Sequence, residues 1–96
     1  LGIACFKNRN YKSAIKYFKL VLTYCPEENI YYYYIGSSYK KLKYFQKAIE
    51  NYVISANMLK VQNGIDDKDT KEAIQEALRL AKETDNIKLL PDWIKK

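Results

Sequence analysis

Shifted by 34 residues, the first part of this 96-residue chain falls on the second in a register that preserves size and shape. Leu1-Gly2 falls on Ile35-Gly36, Lys7 on Lys41 and Tyr11 on Phe45; Ala14-Ile15 falls on Ala48-Ile49 and Phe18 on Tyr52. Small residues match small residues and rings match rings. A period of this length marks stacked supersecondary units, none of which buries its apolar faces alone. That restricts the fold to a row of similar pieces whose last member needs a cover.

The pieces are helical. Tyr11, Ala14, Ile15, Phe18, Val21 and Leu22 recur every three or four residues, as do Ala48, Ile49, Tyr52, Val53, Ala56 and Leu59. Ile74, Ala77, Leu78 and Ala81 form a third stripe, and no segment alternates with the two-residue period of a strand. Asn10 and Asn29 are placed to cap helices, Pro26 to end one, and Asp69 with Glu72 to form a capping box. These signals predict helices near 1–8, 11–24, 30–42, 45–61 and 69–84. A short turn at Leu90-Pro91-Asp92-Trp93-Ile94 is expected to tuck Trp93 and Ile94 against the third stripe. The fold class is therefore all-α, which suits a chain with only 3 Gly and 2 Pro.

The repeat carries a recognisable signature. The first copy shows Leu1-Gly2, Tyr11, Ala14, Phe18 and Pro26; the second shows Tyr32, Ile35-Gly36, Tyr39, Phe45, Ala48 and Tyr52. These residues resemble the tetratricopeptide repeat, a family of antiparallel helix pairs. The resemblance covers residues 1–60 and implies a right-handed α-solenoid of hairpins. Two hairpins would occupy 1–62, the first truncated at its N-terminus, and a C-terminal capping helix with a short tail would occupy 63–96. It implies close approach at Gly2, Ala14, Gly36 and Ala48, with Phe18, Tyr32, Tyr39 and Tyr52 filling the space around those contacts and Pro26 closing the first pair. Three departures follow. Cys5 stands where an aromatic is usual. Arg9 and Lys43 replace a turn glycine, so either they take a positive φ or the turn differs. Lys60 replaces a proline, so the second pair is expected to run on.

In that family the first helix of each pair lines a concave groove. The resemblance places Tyr33, Ser37, Lys40 and Lys41 there, with Ile3 and Lys7 from the first copy. Rings for apolar anchors and amines for carboxylates suit an acidic or aromatic-anchored peptide segment. The Lys/Asn clamp by which some members hold chaperone C-termini is absent, because Ile3 and Tyr34 stand where its asparagines are expected. The expected function is a non-catalytic protein–protein interaction module or scaffold. The alternative is a structural end of a longer repeat array, or a self-association module.

Composition removes other classes. With no histidine and two cysteines the chain has neither a His-based catalytic site nor a His- or Cys-rich zinc site, and no metal or cofactor is expected. Gly2, Gly36 and Gly64 are too scattered for a phosphate loop. Ser13, Ser37, Ser38 and Ser55 have no histidine to activate them, and Lys40 or Lys41 near Ser37 is a pairing that neighbouring helix positions make by chance, so no enzyme is expected. The net charge of +6 is concentrated in residues 1–62, where Lys and Arg face only Glu27, Glu28 and Glu50. Lys outnumbers Arg, and Lys12, Lys16 and Lys19 lie on the polar side of an amphipathic helix; nucleic-acid binding is therefore the weaker reading of the charge. Asp66, Asp67 and Asp69 read as a helix N-terminus rather than a cation site. Cys5 and Cys25 are expected roughly 16 Å apart on an antiparallel pair, beyond disulfide reach. That fits a reducing, cytoplasmic compartment. No apolar run is long enough to span a membrane. The chain opens on Leu1, as expected for a piece of a longer protein.

Overall fold

A computed structural model describes residues 2–95; Leu1, half of the first Leu-Gly match, lies outside them. Six helices follow in order, α1 (Gly2–Lys7), α2 (Tyr11–Tyr24), α3 (Asn29–Lys41), α4 (Phe45–Asn63), α5 (Lys68–Glu83) and α6 (Asp92–Lys95), with a 3-10 turn at Ile87–Leu89. No strand occurs among the described residues. Each of the first five helices packs mainly against its neighbours in sequence. The connections are a few residues long, and the contacts run antiparallel. Phe18 of α2 meets Tyr34 of α3, while Asn29, Tyr33 and Gly36 of α3 meet Gln62, Tyr52 and Ala48 of α4 in turn.

The 34-residue register reappears in the packing. The Phe18 ring lies over Gly2, and the Tyr52 ring lies over Gly36. A Cβ on Gly36 would stand 2.9 Å from Tyr52 Cδ1 and 3.1 Å from the Ala48 carbonyl oxygen. Ala14 and Ala48 are fully buried. Tyr32 departs from expectation: it is only half-buried, and the rings against Phe18 are Tyr31 and Tyr34, at 5.8 and 5.2 Å. Successive helical residues point about 100° apart, so a four-tyrosine run must divide its rings among several neighbours.

Arg9 and Lys43 both adopt the left-handed conformation, at φ 64 and 67, so the turn geometry holds without glycine. The backbone N–H of the next residue bonds back five positions each time, Asn10 to the Cys5 carbonyl at 2.8 Å and Tyr44 to the Tyr39 carbonyl at 2.9 Å. This is a left-handed C-cap that satisfies the last carbonyls of a helix. Asp85, at φ 58, closes α5 in the same way through Asn86 N–H and the Ala81 carbonyl. Where Lys60 replaces proline, α4 continues to Asn63 and stops at Gly64, φ 93.

Two caps differ from the sequence reading. Asp67, not Asp69, caps α5: its carboxylate accepts from the backbone N–H of Asp69 at 3.0 Å and of Thr70 at 3.4 Å. Asp67 is the residue still in extended backbone, which is what lets its side chain fold over the first turn. Glu28 takes the cap position of α3, and Asn29 is instead the first helical residue. Helix α5 lies against α4, with Thr70, Ala73, Ala77, Leu80 and Ala81 buried. Ile94 is buried, and Trp93 packs on the core beneath Lys60, whose Nζ lies 4.1 Å from the ring centroid.

Candidate functional site

Helix α3 has helices on both flanks, and its side chains divide accordingly. Tyr33 and Lys40 are seven residues apart and share a face. Lys40 Nζ lies 3.9 Å from Glu76 Oε2 of α5, and Arg79 Nη2 holds the other oxygen of that carboxylate at 2.9 Å. Tyr33 lines a cleft of about 490 Å3 with Glu72, Glu76 and Arg79 of α5. The next pair round the helix, Tyr34 and Lys41, turns toward α1. The Tyr34 ring lies 5.4 Å from Phe6, and Lys41 joins Phe6, Lys7, Arg9 and Tyr11 around a cavity of about 550 Å3.

Between these faces, Ser37 looks inward. Its Oγ lies 2.9 Å from the Tyr52 hydroxyl, and the Tyr33 ring centroid is 5.2 Å from that of Tyr52. Burial pushes the Tyr52 phenol up to about 12, with Tyr33 and Glu76 adding to the rise and the Ser37 hydrogen bond opposing it. Burial, then the negative charges of Glu76 and Glu72, raises Tyr33 as well. Both phenols are therefore neutral donors near pH 7.

No family model, curated protein or solved structure matches this chain. The functional reading therefore rests on the site's own geometry.

The six groove residues anticipated from the sequence are not one cluster. Lys7 and Lys41 come together on the α1 side. Tyr33 and Lys40 face α5, and Ser37 is engaged with Tyr52. Ile3 is 44% exposed on α1, one turn before Lys7. The expectation of a basic groove throughout is corrected: toward α5 the cleft is mixed in charge, because the polar side of the cap turns Glu72 and Glu76 toward Tyr33 instead of only toward water. The cation cavity includes Arg9, outside the anticipated set. Its left-handed backbone at the α1 turn places it beside Lys7, and the sequence signal for it was the missing turn glycine.

Cys5 is half-buried and Cys25 exposed, both as free thiols. No described helix is long and apolar enough to cross a membrane.

Proposed function

We propose that residues 1–62 are two tetratricopeptide-type hairpins covered by α5, and that the chain is a non-catalytic module holding an extended segment of a partner protein along α3. One observation carries this reading most directly. Lys7, Arg9 and Lys41 converge on a cavity beside Phe6 and Tyr11, with no acidic residue in its lining. Phe6 and Tyr11 meet edge to face at 5.5 Å, giving a firm aromatic wall. Three cations against such a wall favour a segment carrying Asp or Glu beside an apolar or aromatic residue. The recurrence of a glycine under an aromatic and of a left-handed C-cap, both at the 34-residue spacing, supports the repeat reading.

The test is selection of a random displayed-peptide library on the immobilised protein. Enriched peptides should pair Asp or Glu with an aromatic residue. The Lys7→Glu, Lys41→Glu variant, with an unchanged helical spectrum, should lose that enrichment. Equal enrichment on both proteins places the binding elsewhere.

A second reading, self-association, has its own observation. Tyr17, Leu20 and Tyr24 share the outer side of α2, with Leu20 54% and Tyr24 79% exposed. Sedimentation across a concentration series checks it: a mass that rises with concentration and falls in Leu20→Glu would favour it.

A further inference from the structure

On the α5 side of α3 a second cavity, about 480 Å3, opens at the N-terminal end of the helix. Its chemistry is opposite to that of the cation cavity. Asp69 and Glu72 of α5 line it, and neither takes part in an ion pair among the described residues. Asn63 of α4 adds an amide, and the Tyr33 ring makes a wall. Ser55 of α4 lines it from beneath: the residue is 0% exposed, and its Oγ has no hydrogen-bond partner among the described residues. A buried hydroxyl without a partner carries a desolvation cost that a bound polar group would remove. Leu59 and Ala73, both buried, supply an apolar floor.

We infer that this pocket receives a primary ammonium, the side chain of a lysine in the partner segment. Two carboxylates, a hydroxyl and an amide oxygen come from separate directions on α4 and α5. Such a set fits the three divergent donors of an ammonium better than the flat fork of a guanidinium. The lysine stem would lie over Leu59 and Ala73, and the charge would meet the face of Tyr33. The source of the ammonium rests on the interaction reading above; the preference of the pocket for an ammonium does not. The segment along α3 is then bipolar, with an acidic residue at the Lys7, Arg9 and Lys41 end and a lysine at the Ser55 end. On α3, Tyr33 and Lys41 are separated by about 12 Å of helix rise and a rotation of about 80°, so an extended strand needs at least about four residues between the two sites.

The probe is Nα-acetyl-lysine methylamide, titrated into the isotope-labelled protein and followed by amide chemical shifts. Saturable shifts are expected at Ser55, Asp69, Glu72 and Ala73, with none from the Nε-acetylated probe. The Asp69→Asn, Glu72→Gln variant should bind about fivefold more weakly at unchanged helical content, and Ser55→Ala about as much. No saturable shift, equal shifts from the acetylated probe, or an arginine analogue that binds equally well would each overturn the assignment. A silent lysine probe beside selected acidic peptides that still need Lys7 and Lys41 sinks this pocket alone. A lysine probe that binds while no peptide is ever selected sinks the interaction reading and leaves the pocket standing.

Discussion

Replacing Gly36 with alanine puts two effects of opposite sign in competition at one atom. Gly36 lies inside α3, where alanine is intrinsically better by about 1 kcal/mol. The added Cβ would meet Tyr52 Cδ1 at 2.9 Å, Tyr52 Cε1 at 3.0 Å and the Ala48 carbonyl oxygen at 3.1 Å. Tyr52 is 1% exposed and tied to Ser37, so its ring has little room to swing. The Ala48 oxygen is α4 backbone and yields only if the helix moves. Overpacking of this kind costs about 1–3 kcal/mol. The net expectation for Gly36→Ala is a destabilisation of about 1 kcal/mol, a fall of about 4–8 °C in melting temperature for a chain of this length. Urea and thermal denaturation followed by far-ultraviolet circular dichroism measure it. A variant as stable as the parent, or more stable, would mean that α3 and α4 do not approach as closely as described, and the reasoning from the repeat would fail with it.

Arg9→Gly and Lys43→Gly should each stabilise the fold by about 0.5–1 kcal/mol, because glycine takes the left-handed conformation without the Cβ clash, and thermal melts will show it. Asp67→Ala should cost about 1 kcal/mol while Asp69→Ala costs less, since only the first removes the cap of α5; paired urea titrations separate them. The Tyr52 phenol has a folded value of about 12 against an ordinary 10.0. Its contribution is thus fully present below pH 10 and is lost as pH rises through 12, at about 1.4 kcal/mol per pH unit in between. Spectrophotometric titration should find a tyrosine step near pH 12 that Tyr52→Phe removes; the absence of that step would contradict the burial of the hydroxyl.

Much of the helical layout was legible because it depends on local rules. Helix limits followed from periodicity and from breakers such as Gly64. The repeated position singled out Arg9 and Lys43 but left open whether they turn left-handed or the turn changes; the long α4 followed from a lysine where a proline was expected. What the sequence could not convey was which neighbour a surface face would meet. Lys40 and Lys41 read as one basic pair, yet the rotation of about 100° between them sends one to Glu76 and the other toward Lys7. Nothing in the sequence marks Glu72 and Glu76 for the Tyr33 cleft, because polarity alone does not distinguish water from a facing tyrosine. Asp67 and Asp69 are chemically identical, and only the backbone at the helix start selects the cap. Ser55 sits among the apolar residues of α4 with no signal that its hydroxyl would be left without a partner. Ser37 had the right face but an inward bond that removes it from the groove lining.

The most direct test of the central claim is the affinity of one library-selected peptide for three proteins, measured by calorimetry at fixed salt. They are the parent, Lys7→Glu with Lys41→Glu, and Lys12→Glu with Lys16→Glu. The last pair carries the same charge change on exposed positions of α2 that do not line the cation cavity. A large loss of affinity confined to the first variant is the predicted result. Equal losses in both variants would reduce the binding to net charge, and no loss in either would take the partner segment off α3.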